Sequence, residues 1–527
     1  MCGPMAAPQQ PSGLVRHLAD GATLVEHGGD AASANEAALA QAADLAERPP
    51  AGFLDAVPGA RTLLVLFDPD RLTHPELERI LRERPAVPRR ASPRTVVLPA
   101  HYGGDAGPDL EQLSRDSRMA PGELARLHAT AEHRVAFLGF APGFAYLSGA
   151  PRQLVVPRLR TPRLRIPAGT LAVADGYSGI YPGDTPGGWR LIGRVAARLF
   201  DPAATPPALL RPGDRVVFEP VPLEELRDPG PAKLPLPAGV PLLRLLAPGA
   251  STTVQGGPRH GWSSSGVPAG GAMDLSALAE GNGAVGNPPF AAGLEITIAG
   301  PEIELLQDVT FAIAGAPLEA SLSGRKLDPS SPHLGRKGER LKLGFVRQGV
   351  RAYVCLQGGL ALPLPGAQAK ALRSGDEIAR ADGASAVTSL PPRRTGWAAK
   401  SALIVRAIPG PQTDYFTAAG RETFFSSEYR VSPQSDRRGL RLDGPLIDLL
   451  RSADLPPEGT APGAVQVPGG GLPIVLGPDR PPTGGYPKIA TVIGTDLPLL
   501  AQARPGTTIR FRPATLEEAL AARRGSR

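Results

Sequence analysis

Cysteine is nearly absent: Cys2 and Cys355 are the only two in 527 residues. That scarcity excludes a disulfide framework and a thiolate metal site. Aromatic residues make up 5% of the chain, and tryptophan occurs three times. No apolar run approaches the roughly 18 residues that cross a bilayer as a helix. The first residues, MCGPMAAPQQPSG, lack the charged-then-apolar shape of a secretory signal. A cytoplasmic protein with no membrane partner is expected. Lys and Arg outnumber Asp and Glu by 57 to 50, with no long basic run and little aromatic interleaving. Nucleic acid is therefore not an expected partner. Familiar motifs are missing too. GRKGERLK has the wrong spacing for a phosphate loop, and no GxGxxG, HExxH or GxSxG occurs. His17, His27, His74, His101, His128, His133, His260 and His333 form no ligand pattern, so no metal site is expected. A biotin-carrier Met-Lys-Met is also lacking, so no covalently attached biotin is expected.

Glycine and proline are abundant instead, at 63 and 61 residues, spread along the chain without a period. That pattern predicts many short strands joined by turns. The length predicts roughly three or four domains. The expected fold is mainly β with a small α/β N-terminal domain.

TLVEHG (Thr23–Gly28) reads as a strand, and Asn35–Glu47 has helical spacing with Ser33 placed to cap it. Arg61–Pro69 is a buried-strand run. The next helix has Thr73 as cap and Pro75 in its first turn. Pro93–Gly104 closes what reads as a small α/β sandwich over 20–115. In APGELARLHATAEH, Leu124, Leu127, His128 and Ala131 share a face, with Glu132 one turn beyond His128. Short apolar runs broken by Pro and Gly then suggest a compact β-barrel or sandwich over 116–226. A proline-rich seam follows at 227–241, then β-rich blocks at 242–395 and 396–527, with PPRRTGWAAK as a hinge and LEEALAARR as a closing helix.

YPGDTPGGWRLIGR (Tyr181–Arg194) shares a Gly-Gly-aromatic-x-x-Ile frame with TGGYPKIATV (Thr483–Val492). The order FAPGFAYL, PAGTLAV, DTPGGWRLIG is echoed by AIPGPQTDYF, PGAVQVP, PDRPPTGGYPKIA, which predicts a duplicated barrel. Three polar groups are candidates for chemistry. His128 is either a satisfied core residue or an acid/base whose tautomer Glu132 fixes. Ser435, Asp436 and Arg437 form either a polar turn with a local Asp–Arg pair or a carboxylate clamp. Asp479, Arg480, Thr483, Tyr486 and Lys488 surround a Gly-Gly step, which is turn chemistry or a receptor for an oxyanion.

GFAPGFAYLSGAP, PRLRTPRLRIPAG and SGIYPGDTPGGWRLIGR resemble the B component of bacterial 5-oxoprolinase. That family is also called allophanate hydrolase subunit 1-like and includes the sporulation-kinase inhibitor. TTVQGGPRHGW, GVPAGGAMD, GNPPFAAGLEITIAGP, VSPQSDRRGLRLDGP and PPTGGYPKIATVIGTDLP resemble the C component, the biotin-dependent carboxyltransferase-like or allophanate hydrolase subunit 2-like family. The resemblance implies duplicated cyclophilin-like β-barrels and a fusion of two normally separate polypeptides. It also implies ATP-dependent opening of 5-oxo-L-proline to L-glutamate together with a separate 5-oxoprolinase A component, with ATP and Mg²⁺ as co-substrate. A homo-oligomer is compatible with this.

Carried over, catalytic roles fall to His128, Asp436, Arg437 and Lys488. Substrate or nucleotide binding falls to Tyr146, Arg158, Arg163, Gly187, Gly188, Trp189, Gln255, Arg259, Asp274, Asn282 and Glu295. In the last block it falls to Gln412, Ser435, Gln466, Asp479, Thr483, Gly484, Gly485 and Tyr486, while Pro142 and Gly143 belong to the first-half motif. Trp189 and Tyr486 are expected to wall equivalent clefts. The chain departs from the family at Gly256-Gly257-Pro258, where an acidic residue is usual, and at Gly270 and Gly283. LPGAQAKALRSGDE also runs straight across the place of a Ser-Arg-Ser-Thr loop. These departures favour a regulatory binding protein as the alternative. Carboxyl transfer to a urea-like amide is a further alternative and needs a biotin carboxylase and carrier from elsewhere.

Overall fold

Asp30, not Ser33, caps the first helix, α1 (Ala31–Glu47): its Oδ1 accepts the Ser33 N–H at 2.8 Å. The helix therefore starts at Ala31 rather than at Asn35. The second, α2 (His74–Glu83), starts where the sequence places it. Thr73 N–H donates to Glu76 Oε2 at 2.8 Å while the Glu76 N–H reaches Thr73 Oγ1, a reciprocal capping box. The computed structural model describes residues 13–84, 93–159, 161, 163–227, 229–230, 236–364, 370–381 and 402–525. The predicted hinge PPRRTGWAAK lies outside the described residues.

Both helices belong to an antiparallel sheet in the order β1 (Leu14–Ala19), β2 (Ala22–Glu26), β4 (Thr62–Phe67), β3 (Phe53–Pro58). Leu45, Leu63, Val65, Phe67 and Leu77 form its dry layer. The expected closing strand, β5 (Thr95–Tyr102), is not part of this sheet. It pairs in parallel with β13 (Arg215–Pro220) and closes a seven-stranded barrel.

Around that barrel the order is β5, β12 (Arg190–Val195), β9 (Thr170–Ala174), β10 (Tyr177–Ile180), β7 (Ala145–Ser148), β6 (His133–Leu138), β13. A two-stranded ribbon, β8 (Arg163–Ile166) with β11 (Thr185–Gly187), lies beside it. Helices α3 (Leu110–Ser117) and α4 (Pro121–Thr130) follow β5. Leu124 of α4 is buried in the same core as Leu98, Leu147 and Val216.

The middle region is two antiparallel sheets with an apolar layer that includes Leu243, Ile296, Phe311 and Val354. One sheet has the order β20 (Arg325–Lys326), β19 (Leu318–Leu322), β22 (Arg340–Val346), β17 (Glu302–Leu305), β14 (Pro241–Ala247), β24 (Glu377–Ala379). The other is β15 (Ser251–Gln255), β16 (Gly293–Thr297), β23 (Arg351–Leu356), β18 (Val309–Gly315), β21 (His333–Gly335). Helix α5 (Leu275–Ala284) packs on β18 and β23.

A second closed barrel repeats the first. Its order is β25 (Ala402–Pro409), β32 (Lys488–Val492), β29 (Ala464–Gln466), β30 (Ile474–Leu476), β27 (Gly439–Asp443), β26 (Glu428–Val431), β33 (Thr508–Pro513). It too closes through a parallel pair, β25 with β33. A ribbon of β28 (Glu458–Gly459) and β31 (Thr483–Gly484) matches β8 and β11, and α6 (Ala418–Ser426) matches α4. Two further helices complete the chain, α7 (Leu497–Ala501) and α8 (Leu516–Gly525). The duplicated barrel is therefore present, with one correction to the echo. AIPGPQTDYF leaves β25 and so corresponds to the segment after β5, whereas FAPGFAYL leads into β7 and corresponds to the segment leading into β27.

The halves interlock crosswise. Ala60 N–H, after β3, donates to Pro457 O of the second barrel at 2.8 Å, and Gly494 N–H donates to Asp20 Oδ1 at 3.1 Å. In the other direction, Asp55 of β3 accepts from Gly261 N–H at 3.0 Å and Ser263 Oγ at 2.7 Å. Gly143 N–H of the first barrel donates to Ser265 O at 2.9 Å.

Candidate functional site

The Gly-Gly-aromatic frames lead into equivalent strands, β12 and β32. A Cβ on Gly187 would lie 2.4 Å from the Tyr181 hydroxyl, so only glycine allows the ribbon to close on that ring. Gly188 O accepts the Leu159 N–H at 2.7 Å, which fixes the neighbouring Arg158. Trp189 sits edge-on to Phe144 at 5.5 Å and to Tyr146 at 5.6 Å, and Tyr146 stacks on Phe137 at 4.4 Å. Trp189 is buried, so it is a plug of an aromatic core and not the wall of a cleft. Tyr486, at the equivalent place, is half-buried and within electrostatic reach of Arg158. The topological equivalence holds; the shared role does not.

Between the barrels the first contributes Tyr146 and Arg158, and the second Gln466, Thr483, Gly484, Gly485 and Tyr486. Arg158 Nε donates to Asp175 Oδ2 at 2.8 Å, and the guanidinium lies against Gly485, where a Cβ would come within 2.8 Å of Nη2. A Cβ on Gly484 would come within 2.6 Å of Gln466 Nε2. Burial raises the Tyr146 pKa above its ordinary value although Arg158 opposes it, so the phenol stays protonated.

Lys488 is wholly buried and pairs with Glu458. Gln412 holds both: its Nε2 donates to Glu458 Oε1 at 2.7 Å, and its Oε1 accepts the Lys488 N–H at 3.1 Å. The expected catalytic cation is thus already neutralised inside the barrel. Glu458 escapes sequence reasoning, although a fully buried lysine requires a carboxylate.

Arg437 is the centre of a second network, between the middle region and the second barrel. It grips Asp479 through Nε at 2.7 Å and Nη2 at 3.0 Å, Glu295 at 2.5 Å and Gly271 O at 2.6 Å. Glu295 also accepts from Tyr353 Oη and Met273 N–H, each at 2.8 Å. Burial alone would raise the Glu295 pKa, but Arg437 and Arg351 outweigh it and hold the carboxyl below its ordinary value. Asp274 caps α5 at the Ala277 N–H (3.0 Å) and accepts from Gln502 at 2.8 Å; burial raises its pKa. The carboxylate clamp is real, but the carboxylates it holds belong to the protein.

Asp436 makes no pair with Arg437. It is exposed and accepts the Arg438 and Gly439 N–H groups at 2.8 and 3.2 Å, a turn-closing role in place of the expected catalytic one. Ser435 Oγ accepts the Arg441 N–H at 3.0 Å. His128 is likewise corrected. Its Nδ1 faces Tyr102 Oη and its Nε2 faces Ser178 Oγ, each at 2.9 Å, with no residue exposure. Burial lowers its pKa well below the ordinary value, so it is a neutral core residue. Glu132 pairs with Arg134 at 3.0 Å instead of with His128.

Arg163 pairs with Asp109 at 2.7 Å, and Arg259 donates to Pro363 O at 2.5 Å. Asn282 donates to Pro289 O and Ala291 O at 3.1 and 2.8 Å, holding the turn before β16. Gln255 is buried and donates to Thr253 Oγ1 at 3.1 Å. Gly143 N–H makes the Ser265 contact given above, and Pro142 adjoins it. Among the described residues, no group of three His, Cys, Asp or Glu side chains is placed to hold a metal ion.

Two family models match the chain: carboxyltransferase domain, subdomain C and D, over residues 14–210, and carboxyltransferase domain, subdomain A and B, over residues 265–513. The B component of the Bacillus subtilis 5-oxoprolinase is 36% identical over 218 residues, 39% of this chain and 91% of that protein. The C component of the Escherichia coli K12 5-oxoprolinase is 35% identical over 299 residues, 54% of this chain and 94% of that protein. The crystal structure of TTHA0988 is similar with a TM-score of 0.82 at 34% identity, covering 94% of this chain and all of that one.

Proposed function

The chain belongs to the carboxyltransferase-domain family, with a half like the 5-oxoprolinase B component followed by a half like the C component, and from that premise we propose that it is a fused B–C component of an ATP-dependent 5-oxoprolinase. It would open 5-oxo-L-proline to L-glutamate with a separate A component. One observation carries the reading: a single polypeptide spans 91% of a B component and 94% of a C component.

A five-membered lactam is a stable amide; transfer of the ATP γ-phosphoryl group to its oxygen makes the carbon electrophilic. Water adds there, the ring C–N bond breaks with the nitrogen leaving as the amine, and a second water releases phosphate from the resulting acyl phosphate. What the protein must supply is a fixed field that steadies negative charge on the lactam oxygen. At the barrel junction Arg158, tied to Asp175 through Nε, presents its terminal nitrogens beside Gly485, and Tyr146 presents a protonated phenol.

The test mixes the purified chain with a homologue of the A component, ATP, Mg²⁺ and 5-oxo-L-proline, and measures glutamate. Glutamate formation is expected, and Arg158→Gln lowers it while leaving the melting temperature near that of the parent. If no glutamate forms while a standard B plus C pair works with the same A component, a regulatory binding role replaces the reading. A specific observation favours that second reading: Arg437 and Lys488 are already paired inside the protein.

A further inference from the structure

A cavity of about 580 Å³ lies where the N-terminal sheet, the middle region and the second barrel meet. That volume falls in the roughly 300–1,000 Å³ span of small-molecule pockets. Its wall is mostly apolar, with Phe67, Met273 and Leu476 from the three regions, and Arg480 and His260 are also part of it.

Arg480 is 4% exposed. Its Nε donates to Thr460 O at 2.9 Å, and its two terminal nitrogens have no hydrogen-bond partner among the described residues. The carboxylates that act on it are Asp55 and Asp479. Each acts through space without a hydrogen bond to Arg480, and every one of their oxygens already accepts from another donor. Asp55 Oδ2 takes Gly261 N–H and Ser263 Oγ at 3.0 and 2.7 Å, and its Oδ1 takes the Ala56 N–H at 2.9 Å. Both oxygens of Asp479 are held by Arg437. Burial consequently pulls the Arg480 pKa down to about 10 despite the two carboxylates. Buried cations normally have a hydrogen-bonded counter-ion, so this fork is missing an acceptor. His260 lines the same cavity, and its Nδ1 has no hydrogen-bond partner among the described residues.

We propose that this cavity binds a small organic carboxylate bearing a second hydrogen-bonding group, with Arg480 receiving the carboxylate and His260 the second group. One guanidinium facing a largely apolar wall suits a single negative charge. A phosphate dianion would meet too few donors, and the Asp20 carboxylate in the same wall opposes it. Arg523, also in the wall, is already tied to Asp68 and Asp70 at 3.1 and 2.8 Å. The inference does not depend on the ring-opening reading, because it concerns binding at a place away from the barrel junction.

Calorimetric titration of the full chain, without the A component or ATP, tests it. The probes are 5-oxo-L-proline, L-glutamate, acetate, uncharged pyrrolidin-2-one and inorganic phosphate. At least one carboxylate is expected to bind, with pyrrolidin-2-one about tenfold weaker or silent, and Arg480→Gln is expected to weaken the carboxylate about tenfold. His260→Phe should weaken 5-oxo-L-proline several-fold without weakening acetate. A crystal of the unaltered protein soaked with the bound probe should show its carboxylate on Arg480, which needs no variant to fold. Binding of no carboxylate, phosphate binding more tightly than every carboxylate, or a probe seated away from Arg480 overturns the proposal. Because the titration lacks the A component and ATP, its failure is separate from a failure to form glutamate.

Discussion

Strands β12 and β32 occupy the same place in two barrels of identical strand order, yet they carry opposite chemistry. Two residues past the aromatic, the first barrel has Leu191, buried with Trp189 and Tyr146 in an aromatic core. The second has Lys488 at that offset, paired with Glu458 and braced by Gln412. The same closure therefore tolerates either a dry position or a charge, provided the charge arrives with its partner. What the duplication preserves is backbone pairing; what it leaves free is the chemistry of the inward position.

The sharpest way to break this comparison is Glu458→Ala, which leaves Lys488 buried without a counter-ion. A loss of about 3–5 kcal/mol is expected in denaturant unfolding. Replacing both partners with apolar residues, Lys488→Leu with Glu458→Leu, should make the second barrel resemble the first and recover most of that loss. Retention of the full loss in the double variant would show that the ion pair has a role beyond satisfying itself. In the first barrel Trp189→Ala should cost about 3 kcal/mol through the cavity it leaves, against a smaller cost for half-buried Tyr486→Ala.

The smallest expected effect concerns acid. Burial lowers the pKa of both His128 and His133 from 6.5, so the unfolded chain binds protons that the folded barrel refuses. Their contribution to stability is complete above that value and declines as pH falls from about 6.5 toward the lowered folded values. Unfolding midpoints at pH 7.5 and 5.5 measure the slope, and His128→Phe should flatten it.

Some of this is readable residue by residue. Thr73 and Pro75 announce α2 because a cap and a first-turn proline are local patterns. The repeated Gly-Gly-aromatic frame gives away the duplication because both copies keep the same turn into the same strand. By contrast, β3 stays hidden: FLDAVP carries Asp55, whose partners Gly261 and Ser263 lie some two hundred residues away. Arg437 is legible as a carboxylate clamp, but the sequence does not say that Glu295 and Asp479 fill it. His128 shows the same limit, since a helix face tells that a side chain is buried and not what its ring nitrogens meet. Arg480 is lonely only because three regions fold over it, which no local stretch encodes.

The crosswise grip between the halves has a final consequence. Sheet, barrels and middle region hold one another through Ala60 with Pro457, Asp55 with Ser263 and Gly143 with Ser265, none of them in the seam at 227–241. Nicking the backbone in that seam leaves every one of these clasps in place, so two co-expressed fragments should copurify one to one. Fusion here fixes the ratio in which the pieces are made; adhesion was already written into their surfaces.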